Sequence, residues 1–266
     1  MRHTNVSLDA KDNPKDFYNR RYEQGYMHGW YDVYEICRVY TVKKVLNRLT
    51  ATGFSPASIL DYGCGEGRYI GELKRIFPSA RVVGCDISET ALDIGKRAFP
   101  EATFTSMQDE TVGYADGSFD LVISIEVLEH VQDVAKAAHE VARLLRVGGL
   151  ALITTPCANR FSGEWFKTAL RSGFEPSHDG YGRFYLDEPG HLRRLRDSHL
   201  RDLFEKNGVA IEKIYHRSHM FTPIVEHRFV SPLIPMAARA RIALLDWHFF
   251  KHLPNGSTLL AIGRKL

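Results

Sequence analysis

The sequence predicts an α/β protein: one doubly wound, seven-stranded sheet with helices on both faces, and a helical or irregular cap inserted late in the chain. Three observations point there. Short apolar runs alternate with amphipathic stretches from Ser58 to Leu145, the pattern of parallel βαβ units covered on both sides. The first run turns through Gly63, Gly65 and Gly67 straight into helical periodicity. After Pro156 the rhythm gives way to a polar, aromatic-rich stretch. Residues 1–50 read as an N-terminal segment with its own helices, and 51–266 as the main domain, with cap insertions at about 157–196 and 216–256.

Composition narrows the classes. A hydrophobic fraction of 44% is ordinary for a globular chain, and a net charge of +3 gives no general case for nucleic acid. Cys37, Cys64, Cys85 and Cys157 show no paired spacing, so neither a zinc knuckle nor a redox pair is expected. Free thiols suit a reducing compartment, which makes a cytoplasmic protein the expectation. The polar N-terminus does not read as a signal peptide, and no apolar run reaches transmembrane length.

In chain order, residues 1–15 are expected to fray. Tyr18, Tyr22 and Tyr26 then stand at i, i+4 and i+8, so one helical face gathers them. Tyr34 to Leu49 is an amphipathic helix, and Thr52 to Pro56 breaks the chain. Ser58 to Tyr62 is a short buried strand with Asp61 near its end. Arg68 to Phe77 is the helix that follows the glycines. A strand that turns through glycines into a helix start brings backbone N–H groups close to a ligand. Arg81 to Cys85 is the second strand and ends at Asp86, where an acid takes the hydroxyls of an adenosine ribose. Ile87 stands where it would pack on the adenine, and Ser88 caps the next helix.

The glycine spacing separates the adenosine ligands. The dinucleotide fingerprint is G-x-G-x-x-G. Here the third glycine arrives one position early, and Arg68 stands where the fingerprint wants glycine. Asp61 would repel a pyrophosphate and suits an ammonium.

Ala102 to Ser106 and Phe119 to Ile125 are the third and fourth strands, and Ala135 to Leu145 the helix after them. Arg146 to Gly149 turns into the fifth strand, Leu150 to Thr154. Asp197 to Asn207 is a helix closed by Gly208. Val209 to Tyr215 and Thr258 to Ile262 are the last two strands. Between them Met236 to Phe250 reads as a helix with two readings: packed on the cap or on a second subunit, which is favoured, or lying on a membrane surface, since Arg239, Arg241, Lys251 and His252 flank its apolar face.

Asp61-x-Gly63-x-Gly65-x-Gly67 followed by Asp86 resembles the class I S-adenosylmethionine-dependent methyltransferases. Ser118 to Val122, Val127 to Val131 and Leu145 to Gly149 match further landmarks of that family, with Val147 at its usual proline. The resemblance runs from about Asp16 to Arg264. It implies a Rossmann-like sheet whose final strand is inserted antiparallel, and S-adenosyl-L-methionine as cofactor. Asp61, Tyr62, Gly63, Cys64 and Gly65 would hold the methionine end, Asp86 the ribose, and Ile87 and Ile125 would lie beside the nucleoside. Gln108 falls at the family's adenine acid, with Asp109 next to it; either side chain, or the Asp109 N–H, takes that contact. The N-terminal aromatics either pack on the sheet or form the lid that this family builds there.

Glu126, Glu129 and His130 stand at i, i+3 and i+4, which a helical turn would place on one face. With His191 they resemble the ligands of two metal-using branches, the ubiquinone-pathway O-methyltransferases and the small-RNA 3′-terminal ribose methyltransferases. That implies Mg2+ or another divalent cation on Glu126, Glu129, His130 and His191. The alternative is a metal-free site, with Glu129 orienting the turn and His130 or His191 as base. The activity implied is O-methylation of a small molecule, sugar or lipid-linked precursor. RNA ribose methylation, suggested by the basic run His191 to Arg201, and a cofactor-binding accessory subunit without turnover are the alternatives. Peripheral membrane contact stays open, and the sequence leaves the oligomeric state unassigned.

Overall fold

The computed structural model describes residues 13–25, 32–165, 190–219, 221–227 and 229–266. Its strands are β1 Ser58–Tyr62, β2 Arg81–Asp86, β3 Thr103–Ser106, β4 Phe119–Ile125, β5 Leu145–Pro156, β6 Val209–Arg217 and β7 Thr258–Lys265. They form one seven-stranded sheet in the order β3-β2-β1-β4-β5-β7-β6. The first five pair in parallel, and β7 lies antiparallel between β5 and β6. The order reverses between β1 and β4, which opens a crevice at their carboxyl ends.

The alternation of side chains along β1 divides the core. Leu60 and Tyr62 join one cluster, with Ala137, Ala138 and Val141 of helix α5 (Val134–Leu144) and Leu200 and Phe204 of α6 (Asp197–Glu205). Ile59 joins the other, with Val42, Val45 and Leu46 of α2 (Val33–Ala51) and Ile70 and Leu73 of α3 (Ile70–Ile76). β4 is buried at all seven positions, as a strand covered on both faces must be. At the amino edge of the sheet Asp120 accepts from the backbone N–H groups of Ala57 and Ser58, both at 2.8 Å, and pairs with Arg146. That acid ties strands together, far from the crevice.

Several boundaries differ from the sequence reading. The helix after the glycines starts at Ile70 rather than Arg68, because Gly63, Gly65 and Gly67 all take positive φ and the chain is still turning through Arg68. β5 begins at Leu145, pairing with Phe119 before Gly148 (φ 78°) bends it, so the expected turn is an irregular part of the strand. Helix α1 (Pro14–Glu23) and helix α4 (Glu89–Ala98) touch one another, with Lys15 2.6 Å from Glu89. α7 (Phe221–Val225) and α8 (Met236–Phe250) follow β6. α8 packs one side on α2 and β6, Trp247 meeting Tyr215 with ring centroids 5.4 Å apart. Tyr26 and residues 166–189 of the cap insertion lie outside the described residues.

Candidate active site

A cavity of 540 Å³ fills the crevice at the carboxyl ends of β1, β2 and β4. Its floor is the glycine turn. Gly63 and Cys64 both donate their N–H to the Cys85 carbonyl at 2.8 Å, folding the turn back over β2. Gly63 (φ 77°) cannot carry a side chain: a Cβ would stand 2.5 Å from Val127. At Gly65 (φ 55°) a Cβ would meet the Tyr22 hydroxyl of α1. The absence of both side chains leaves bare backbone against the cavity.

Two carboxylates face this floor. Asp61 is 1% exposed, and its Oδ2 has no hydrogen-bond partner among the described residues. Burial, then the nearby Asp86 charge, pushes Asp61 up to about 8. A buried acid with an unused oxygen fits a ligand that brings a cation and a donor together. Asp86 accepts from the Gly65 N–H and the Ser88 N–H, each at 2.8 Å. Burial raises its pKa as well, opposed by those backbone donors. Ile87, Met107 and Ile125 supply the apolar wall beside it.

Other expected cofactor contacts fall elsewhere. Tyr62 points to the opposite face of the sheet, as its neighbour in a strand must, and does not line the cavity. Its hydroxyl donates to the Glu110 carbonyl at 2.7 Å and so pins the loop after β3. Gln108 and Asp109 are exposed and outside the cavity wall. The tight Gln108–Thr111 turn, with Asp109 and Glu110 at positive φ, turns them outward and leaves Met107 and Glu110 on the wall.

The segment after β4 is not the helical turn the spacing suggested. Glu126 takes φ 56°, a left-handed conformation that keeps it out of any helical turn with Glu129. It accepts from Thr154 Oγ1 at 2.7 Å and pairs with Arg217 at 3.2 Å. Glu126 therefore stands outside the compact donor cluster, which is Glu129, His130 and His191, with one ligand atom from each within 4.8 Å of the others. Glu129 is fully buried and accepts from Thr155 Oγ1 at 3.0 Å. Burial and the Glu126 charge push its pKa up, while His191 pulls it down.

Histidine 130 is held by its other nitrogen. Nδ1 lies 2.9 Å from the Gly190 carbonyl and 2.9 Å from the Tyr18 hydroxyl. A carbonyl only accepts, so an Nδ1–H donating to it fits this contact, and Nε2 lies 4.0 Å from Glu129 Oε1. The His191 ring stands 4.6 Å from that of His130, centroid to centroid. What brings them together is Leu192 N–H donating to Glu129 O at 2.7 Å.

The sequence reading missed the arginines. The run His191 to Arg201 reads as a basic face, yet Arg193 and Arg194 are 0% and 1% exposed. Arg193 donates to the carbonyls of Leu128, Val131 and Gln132, clamping the loop that carries Glu129 and His130. Arg194 pairs with Glu164. That burial takes two arginines out of the run, while Arg196 and Arg201 stay partly exposed. Arg38 and Arg217 line the cavity and share Glu126, and Arg68 pairs with Glu35 at 2.7 Å. Of these three, Arg68 is marked in the sequence by standing at a fingerprint glycine's place and Arg217 by lying just beyond the end of an expected strand, while Arg38 carries no signal.

A model of the methyltransferase domain matches residues 32–214. A probable S-adenosylmethionine-dependent methyltransferase of Mycolicibacterium smegmatis is 29% identical over 154 residues, 58% of this chain and 52% of that protein. The ubiquinone biosynthesis O-methyltransferase of Mesorhizobium japonicum is 31% identical over 109 residues, 40% of this chain and 43% of that one. The chain thus spans about half the length of the curated relatives it matches. Among solved structures, an S-adenosylmethionine-dependent methyltransferase from Mesorhizobium loti superposes with a TM-score of 0.57 at 20% identity, covering 78% of this chain and 90% of that one.

Proposed function

From the premise that this chain belongs to the class I S-adenosylmethionine-dependent methyltransferases, we propose that it methylates a hydroxyl of a small molecule, with Glu129, His130 and His191 at the acceptor. The observation that carries this reading is the cluster itself: three proton-accepting groups within 4.8 Å on the cavity wall. S-adenosylmethionine supplies an activated methyl on a cationic sulfur. Asp61 would take the ammonium of its methionine moiety, Asp86 the ribose hydroxyls, and Ile87 and Met107 the adenine face.

The chain's own task is then alignment and proton removal. Fixing two reactants in line is worth roughly 7–11 kcal/mol at best. A hydroxyl also needs a base near neutral pH. His130 is placed to take that proton, its Nδ1 held against the Gly190 carbonyl. Glu129, its pKa raised by burial and the Glu126 charge and lowered by His191, orients the pair. The apolar part of the wall and the deep setting suit a compact acceptor rather than a flat macromolecular surface.

The same three donors favour one second reading. A carboxylate and two imidazoles this close form a ligand set for one divalent cation, which would acidify the acceptor hydroxyl. Turnover with a phenolic or sugar-hydroxyl acceptor panel, read as S-adenosylhomocysteine formed, tests both. With a metal, chelation abolishes turnover and Mg2+ or Mn2+ restores it. Turnover indifferent to chelator leaves the histidines as bases. Methylation confined to amine or carbon acceptors would end the O-methylation reading.

A further inference from the structure

The connection from β6 to β7 leaves the sheet at Arg217 and returns at Thr258, both on the cavity wall. It carries α7, a 3-10 turn at Ser231–Leu233, and α8. Among the described residues, α8 is covered along one side and exposed along another. Ala240, Ala243 and Trp247 are buried, and Ala243 clusters with Val33 and Cys37 of α2 and Val225 of α7. Arg241, Leu245, His248, Phe249 and His252, spaced to share one stripe, are all exposed.

That stripe is part of a larger concentration. Of the twelve exposed large apolar side chains among the described residues, seven lie between Ile224 and Leu253. Leu233 is 79% exposed, Phe229 66% and Phe249 64%. Scattered singly such residues need no explanation, but seven carried by one excursion single that excursion out among the described residues.

Charge identifies the partner. The excursion from 218 to 256 contains two acids, and neither is presented outward. Asp246 is fully buried and accepts from Thr222 N–H at 3.0 Å. Glu226 is paired with Arg239. Arg241 remains exposed on the stripe, and Lys251 is half-buried at its end. A surface that is apolar, with cations and no outward acid, complements an anionic bilayer: alkyl chains for Leu245 and Phe249, headgroup phosphates for Arg241 and Lys251. A second copy is a poorer match, since it would bring the cations of two such faces into one interface without an outward acid from this excursion to pair them. No helix among the described residues is long and apolar enough to cross a membrane, so contact would be in the interface plane.

We propose that the α7–α8 excursion docks on an anionic lipid surface, placing the acceptor end of the cavity beside the bilayer. This goes beyond the methyl-transfer reading and does not depend on it.

Flotation with vesicles tests it directly. The full chain should float with phosphatidylcholine vesicles containing phosphatidylglycerol, much less with phosphatidylcholine alone, and less as salt is raised. Leu245→Glu/Phe249→Glu should lower vesicle affinity by at least about tenfold, with an unchanged melting temperature because both side chains are exposed. Arg241→Glu should weaken binding to anionic vesicles and leave the weaker binding to neutral ones unchanged. Absence of flotation with anionic vesicles overturns the proposal, as does flotation that the double variant leaves intact. A wild-type dimer in light scattering that the double variant makes monomeric, without vesicle binding, would assign the face to a second copy instead.

Discussion

At the glycine-turn end of the cavity the backbone sets the geometry, while at the histidine end side chains from distant segments do. Gly65 and Ser88 present N–H groups to Asp86, and Gly63 and Cys64 fold back onto Cys85, all within 26 residues of one another. At the histidine end, His130 meets Gly190 across 60 residues and Tyr18 across 112. Arg217 reaches Glu126 across 91. The first construction is fixed by local turn geometry. The second exists only once the sheet, α1 and the segment after residue 190 are assembled. Cofactor binding should therefore tolerate changes at the acceptor end, while turnover should not.

The largest expected effect exploits that separation. Glu129→Gln and His191→Ala remove a proton-accepting group without touching the glycine turn. Each should reduce turnover by about 10²- to 10⁴-fold, with S-adenosylhomocysteine affinity by calorimetry unchanged within error. Equal losses in turnover and cofactor affinity would show that the two ends are one mechanical unit.

Asp61→Asn sharpens it from the other end. Asp61 is held up to about 8 in the ligand-free protein by burial and Asp86. A cationic ligand favours the ionised form, so binding is linked to proton release. Cofactor affinity should rise with pH until about pH 8 and then level, and the asparagine variant should bind roughly tenfold more weakly without that slope. The stability sign runs the other way. A carboxyl whose folded pKa is raised contributes stability that is fully present below the ordinary carboxylate range and lost as pH rises through about 8. Melting temperatures of the ligand-free protein should fall over that window in the wild type and less in the variant. A pH-independent wild-type affinity would mean the acid does not meet the cation.

This division also explains what the sequence could disclose. Asp61, the glycines and Asp86 are legible because the strand–turn–helix that positions them is contiguous, and strand apolarity plus glycine spacing encode it directly. Gln108 and Asp109 were misplaced because two consecutive residues at positive φ, neither of them glycine, reverse which side chains face inward, and composition carries no sign of that. Glu126 shows the same limit: a single residue at φ 56° separates it from Glu129. The run at Arg193 and Arg194 looked like a solvated face because charge implies exposure on average. Only the assembled loop supplies the three carbonyls that let Arg193 be buried.

The smallest effect is the most discriminating for α1. Tyr18 stacks edge-on to His130 with centroids 5.8 Å apart and sets its hydroxyl against Nδ1. Tyr18→Phe keeps the ring and loses one hydrogen bond, worth about 0.5–1.5 kcal/mol. If α1 helps orient His130, kcat should fall by up to about tenfold, the acid limb of the pH–rate profile should move, and cofactor affinity should stay constant, because the ring still covers the site. If α1 is only a cover, Tyr18→Phe should be silent. In that case Tyr22→Ala, which uncovers the bare backbone at Gly65, should weaken the cofactor instead. A shift in the pH profile on Tyr18→Phe without a change in cofactor affinity would extend the acceptor end of the cavity to the first helix of the chain.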